Sequence, residues 1–282
     1  MLSKIVSLVS VLLEAAQLVL AAPSPGCSKA PKVITAAAAA APGLTMTSGG
    51  KSRQYFVKLP ANYDNNHPYR LILTLHALGG SGSQVALGGS GSYYGLPPLV
   101  NDTIGAIYVA PSGTSGGDGR AKGNGWWSEG GSDITFIKEL VKAVEDDLCI
   151  DTNLRFSTGF SHGAAMSFIL ACAMGKDLRA VAVLSGNPQI SGQCPGGLDP
   201  VAWYSQHGTH DSVLPIAGGH EMRDRFIKNN GCTPKEAKEP ARGEKHIRTV
   251  YDGCKEGYPL TFVAFDGYAF HDPASSFRGL QR

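Results

Sequence analysis

Apolar residues along this chain recur in two alternating rhythms. From Tyr69 onward, short apolar runs bounded by glycine, proline and polar residues are followed by segments with apolar residues at helical spacing. YRLILTLH (69–76) and AIYVAP (106–111) read as buried strands. SDITFIKELVKAVEDDLCI (132–150) spaces Ile134, Ile137, Leu140, Val141 and Val144 as one face of an amphipathic helix, with Ser132 or Asp133 as its N-cap. NLRFSTGF then predicts a strand, GAAMSFILACAMG a helix, and RAVAVLSG and VAWYSQHG two further strands. GGHEMRDRFIKNNG predicts a helix closed by glycine, and PLTFVAFDG a last strand. Ahead of them, LTMTSGGKSRQYFVKLP alternates around Gly49-Gly50 as a β-hairpin does, and ITAAAAAAPG has the composition of a linker or helix fragment. Strands alternating with helices imply an α/β fold, a mostly parallel, doubly wound sheet covered by helices on both faces. With no internal repeat and no second composition zone, residues 23–282 read as a single domain.

The N-terminus changes the picture of where the chain works. Lys4, the apolar stretch 5–13 and the small residues Ala21 and Ala22 predict a secretory signal peptide over 1–22, cleaved near Ala21 or Ala22, and hence an extracellular protein. Glu14 and Gln17 interrupt the apolar stretch, which falls short of the ~20 residues a membrane span needs. All six cysteines (Cys27, Cys149, Cys172, Cys194, Cys232 and Cys254) follow that segment, and none forms a C-x-x-C pair, so disulfides are expected rather than a zinc cage or redox site. Asn101-Asp102-Thr103 is an N-glycosylation sequon. The formal net charge is only +2, and no lysine or arginine run is present to neutralise phosphates, which argues against a nucleic-acid partner.

Candidate chemistry centres on TGFSHGAAM (158–166). A G-x-S-x-G string is weak evidence in a chain with 36 glycines, but here a strand runs directly into Ser161 and a helix starts directly after it. That is the setting of a nucleophile elbow. A serine hydroxyl needs a histidine to take its proton and a carboxylate to orient that histidine, in the chain order Ser, acid, His for this fold. Asp211, in HGTHDSVLP after a strand, is the expected acid, with Asp266 as its rival. His271, just past the last predicted strand, is the expected base. His220 opens a helix, His246 reads as part of a polar loop, and His207 and His210 read as loop residues without a metal-ligand cluster around them. The oxyanion hole is expected from the backbone N–H of His162 and a second N–H, from Ala77 or Leu78, in the glycine-rich loop after His76.

Taken together, LHALGGSGS, TGFSHGAAMSFILACA, RAVAVLSG, HGTHDSVLPI and RDRFIKNNGC resemble the fungal feruloyl esterases of the type C group over 51–266. The resemblance implies an α/β-hydrolase fold and a serine triad without metal or other cofactor, its matching positions being Ser161, Asp211 and His271. It further implies hydrolysis of feruloyl and related hydroxycinnamoyl esters in plant cell-wall polysaccharides, feruloylated arabinoxylan or pectin. Acetylxylan esterases and secreted polyhydroxybutyrate depolymerases belong to the wider set and give the alternative activity. Trp126-Trp127 resembles the family's tryptophan-containing loop, open to two readings: an aromatic surface for a phenolic ring, or core packing. Three features depart from the family. His162 and Ala164 replace a tyrosine and a glycine at the elbow, FDGYAFHDP inserts residues before His271, and SSFRGLQR closes the sequence where an aromatic C-terminal helix is expected. An alternative of another class is therefore a wall-polysaccharide-binding paralogue with an impaired base. For the disulfides, Cys232 pairs with Cys254 across a charged loop. Cys149 and Cys172, both expected at the sheet's lower edge, pair with each other and leave Cys27 with Cys194.

Overall fold

The computed structural model describes residues 21–40, 42–100, 104–117, 122–191, 194 and 196–269. His271, residues 1–20 of the expected leader and the Asn101–Thr103 sequon lie outside the described residues. After a short helix α1 (Ala36–Ala40) come the hairpin β1 (Leu44–Ser48) and β2 (Lys51–Lys58), then β3 (Tyr69–Leu75), helix α2 (Gly82–Leu87) and β4 (Ala106–Pro111). A small hairpin, β5 (Thr114–Gly117) and β6 (Lys122–Gly125), precedes helix α3 (Ser132–Asp147). The rest runs β7 (Ile150–Phe160), α4 (His162–Ala173), β8 (Ala180–Leu184), β9 (Ala202–Gly208), α5 (Ile216–Asn230), β10 (His246–Tyr251) and β11 (Leu260–Phe265).

Among the described residues, nine strands form one sheet in the order β1-β2-β4-β3-β7-β8-β9-β11-β10. The run from β4 to β11 is parallel, with antiparallel strands at both margins. The chain passes from β3 outward to β4 and then returns to the other side of β3 with β7. The order therefore reverses between β3 and β7, where the crevice beyond the strands' carboxyl ends is the natural ligand site of such sheets. Helices α3, α4 and α5 bury Phe136, Leu140, Met166, Leu170 and Phe226 against one face in the main core. Helix α2 and the 3-10 segment after it pack Ala86 and Tyr93 with Phe56, Ile72 and Tyr108 on the other. Toward the amino ends of β7, β8 and β9 that second face leaves an apolar groove, lined by Phe156, Ala180, Trp203 and Val250.

Several expectations need correction. The segment around His246 is an edge strand: β10 pairs with β11 and alternates exposed and half-buried side chains, so its polar face hid it. Helix α3 is capped by Gly131 in the left-handed region, with Ser132 as its first residue. Asp133 serves another purpose: its Oδ2 accepts the Ser128 N–H at 2.8 Å and its Oδ1 pairs with Arg53 at 2.7 Å, both side chains being buried.

The three disulfides are Cys27–Cys149, Cys172–Cys194 and Cys232–Cys254. The third is as expected. The other two replace the expected Cys149–Cys172 and Cys27–Cys194, because the segment 22–27 straps back along the start of β7. Ser24 donates its N–H to Ile150 O at 2.8 Å and Gly26 its N–H to Glu145 O at 2.8 Å, which brings the Cys27 and Cys149 Cα atoms to 4.0 Å. Cys172, at the end of α4, then meets Cys194 in the loop before β9.

Candidate active site

Strand β7 delivers Ser161 to the switch point. The residue takes φ 54° and ψ −115°, a strained conformation for a side-chain-bearing residue, between β7 and the first turn of α4. Two glycines make the turn possible: a Cβ on Gly159 would overlap the Gly163 backbone, and one on Gly163 would overlap the Leu75 carbonyl. Ser161 N–H is bonded to Leu184 O on β8 at 3.0 Å and Ser161 O accepts Ala165 N–H at 3.0 Å, which fixes the backbone of the turn at the crevice end of the sheet. His162 opens α4, so its amide lies at the positive end of that helix. Its ring is buried, with Nδ1 accepting the Trp126 N–H at 3.4 Å and Trp127 edge-on at 4.8 Å.

The loop after β3 faces this elbow and is held from several sides. His76 is 1% exposed; its Nε2 accepts the Gly113 N–H at 2.8 Å and its Nδ1 donates to Ala77 O at 2.7 Å. The two bonds fix one neutral tautomer, and burial pushes its pKa down to about 4. Trp126 Nε1 donates to His76 O at 2.8 Å, Gly79 N–H to Asn124 O at 2.8 Å and Asn124 Nδ2 to Gly80 O at 2.7 Å. Among the described residues the Ala77 and Leu78 amides donate to no acceptor. The loop is thus rigid around two N–H groups that point to no partner, the property an oxyanion hole requires. Of the tryptophan pair, Trp126 is fully buried and belongs to the core, whereas half-buried Trp127 lies beside His162 and donates its Nε1–H to Gly123 O at 3.0 Å.

Asp211 stands just beyond β9, 6% exposed. Its Oδ1 accepts Val213 N–H at 3.0 Å and Leu214 N–H at 2.8 Å, while Oδ2 has no hydrogen-bond partner among the described residues. Asp266 differs: one oxygen lies 3.1 Å from His210 Nδ1 and the other accepts Gly243 N–H at 2.6 Å. Only Asp211 of the two rivals keeps a buried oxygen open. His207, expected in a loop, is a β9 residue; its Nε2–H donates to Leu214 O at 2.7 Å and lies 3.6 Å from Asp211 Oδ2. Burial holds its pKa below the usual value. The support given by His76, Asn124 and His207 was not read from the sequence. A histidine ending a strand is a signal that could have drawn attention to two of the three.

The chain carrying His271 leaves β11 tied to the acid loop. Thr209 N–H bonds Phe265 O at 3.0 Å and His210 N–H bonds Gly267 O at 2.9 Å, while Gly208 packs so closely on 267–268 that a Cβ there would overlap the Tyr268 carbonyl. Ser161, the 76–80 loop, Asp211 and the exit toward 271 therefore follow, in order, β7, β3, β9 and β11, all at the carboxyl ends of parallel strands.

A serine in a strained strand-turn-helix elbow, set on this sheet, is the arrangement of the α/β-hydrolase fold. Residues 132–250 match the phospholipase/carboxylesterase family. Feruloyl esterase D of Neurospora crassa is 46% identical over 263 residues, covering 90% of this chain and 84% of that protein. Feruloyl esterase C of Emericella nidulans is 41% identical, covering 86% of this chain and 82% of that protein. The chain belongs to the family of fungal feruloyl esterases. A ferulic acid esterase from Anaeromyces mucronatus shares the fold, with a TM-score of 0.57 at 18% identity over 83% of this chain and 85% of that one.

Proposed function

We propose that this chain is a secreted serine esterase that hydrolyses feruloyl and related hydroxycinnamoyl esters of plant cell-wall polysaccharides through Ser161, His271 and Asp211. The observation that carries the reading is the elbow: a strained Ser161 packed by two obligatory glycines, facing a braced loop with undirected amides. The family supports the acyl group, since the relatives named above are feruloyl esterases.

In this reading Ser161 Oγ attacks the ester carbonyl as His271 takes its proton. The carbonyl oxygen becomes an oxyanion held by N–H groups of His162 and of Ala77 or Leu78. Collapse breaks the ester C–O bond, and the imidazolium returns its proton to the departing sugar oxygen. Water, deprotonated by the same histidine, then attacks the acyl-enzyme and releases the hydroxycinnamic acid and free Ser161. Asp211 offers Oδ2 to the histidine, and its Oδ1 bonds fix the carboxylate so that this oxygen is the one presented. No metal or cofactor enters the chemistry.

Substrate class is tested by comparing kcat/KM on methyl ferulate, methyl acetate and a 3-hydroxybutyrate ester. The reading predicts a preference of at least about tenfold for the feruloyl ester, an acyl-pocket discrimination of ordinary size. Preference for the acetyl or hydroxybutyrate ester would assign the chain to acetylxylan or polyester hydrolysis instead.

A further inference from the structure

Asp151 is a carboxylate 7% exposed near the start of β7, and among the described residues no lysine, arginine or histidine pairs with it. Its Oδ1 accepts two amides, Asn153 N–H at 3.0 Å and Ala22 N–H at 3.0 Å. A buried carboxylate without a countercharge is costly, and the second amide belongs to the residue where the N-terminal strap begins. From Ala22 onward the backbone is fastened: Thr152 N–H bonds Ala22 O at 2.8 Å, Pro23 bridges Asp151, Ser24 N–H bonds Ile150 O at 2.8 Å and Ser24 Oγ donates to Leu148 O at 2.6 Å. Ala21, one residue earlier, is exposed.

We infer that proteolytic processing cuts the Ala21–Ala22 bond, and that the α-ammonium of Ala22 so created is the missing countercharge of Asp151. This rests on the reading that the N-terminal segment is a removable leader. Hydrolysis adds one water across the bond: the hydroxyl completes the carboxylate of Ala21, and the nitrogen of Ala22 gains the hydrogen and, at neutral pH, a further proton. The atom that donates to Asp151 is unchanged, but a hydrogen bond from a neutral amide to the carboxylate becomes an ion pair in which donor and acceptor are both charged. Cutting one residue later would remove the Ala22 N–H from Asp151 and the Ala22 carbonyl from Thr152, dismantling the first rung of the strap. Val19 and Ala21 supply the small or apolar residues before the cut that a leader peptidase accepts.

The full chain is expressed in a secreting eukaryotic host, and the exported protein is read by intact mass and N-terminal sequencing. An N-terminus at Ala22 is expected. Pro23 or any later residue would overturn the inference while keeping the leader, and an N-terminus at Met1 would overturn both. A second measurement compares mature protein with a form extended by Gly-Ser before Ala22, which keeps the amide and loses the charge. At low salt the extension is expected to lower Tm by about 2–4 °C, and to have no effect in an Asp151→Asn background. Equal Tm values in the native background would remove the ion pair from the account, even if the Asp151→Asn variant fails to fold.

Discussion

His76 and Gly113 are joined by a 2.8 Å hydrogen bond from the Gly113 amide to the imidazole Nε2, and the opposite ring nitrogen reaches Ala77 O, in the loop that faces Ser161. One neutral imidazole thus couples the end of β4 to the loop proposed to hold the oxyanion. Replacing His76 with alanine is expected to lower kcat about tenfold to a hundredfold with KM changed less than about threefold, because the loop's amides shift while the substrate's remote contacts stay. Steady-state kinetics on methyl ferulate checks it.

The same ring makes stability depend on pH. Its folded pKa of about 4 lies below the ordinary 6.5, so the unfolded chain binds the extra proton first as pH falls. The stabilisation is full above 6.5, declines between 6.5 and about 4, and is worth about 3 kcal/mol across that window. His207, also depressed by burial, adds loss in the same direction. Urea unfolding at pH 7 and pH 4.5 should show the decline, and His76→Gln should flatten much of it.

The elbow holds strain that the Ser161 side chain imposes. Ser161→Gly is expected to abolish turnover yet leave the protein as stable or raise its stability by about 1 kcal/mol, since glycine reaches φ 54° without penalty. Gly163→Ala is expected to do the reverse of stabilising, costing about 3 kcal/mol or more as the new methyl is forced onto the Leu75 carbonyl. Thermal melts of the two variants give opposite signs.

Arg53 and Asp133 form a buried pair that ties β2 to α3 and, through Ser128 N–H, anchors the chain just after Trp127. Arg53→Met leaves the carboxylate without its cation and is expected to destabilise by about 3–5 kcal/mol. Adding Asp133→Asn to it should restore part of that loss, a non-additivity readable in a double-mutant cycle.

Where the sequence was legible, a local rhythm decided the structure. β3 is a short apolar run stopped by breakers, and Ser161 and Asp211 drew attention because the first directly follows β7 and the second lies three residues past the end of β9. β10 was missed because HIRTVY is an edge strand whose exposed side carries His246, Arg248 and Val250, and two polar residues on that side read as loop. The β5–β6 hairpin, TSGG and KGNG, carries no apolar alternation to announce it; Gly125 lies so close to the His162 ring that a Cβ would come within 2.6 Å of Nδ1. Two of the three disulfide pairings failed for a different reason: Cys27 meets Cys149 across 122 residues, by a strap whose path no local pattern records. The bracing by His76 and Asn124 is equally non-local, built from residues tens of positions apart.

The central claim is that Ser161 carries the reaction. Hydrolysis of methyl ferulate by the purified protein, beside its Ser161→Ala variant confirmed as folded by circular dichroism, tests it most directly. Clear turnover by the native protein is expected, with a loss of at least about a thousandfold in the variant, since removing a serine nucleophile costs that much or more. Turnover that survives in Ser161→Ala, or a folded native protein that binds arabinoxylan and hydrolyses none of the esters, would contradict it.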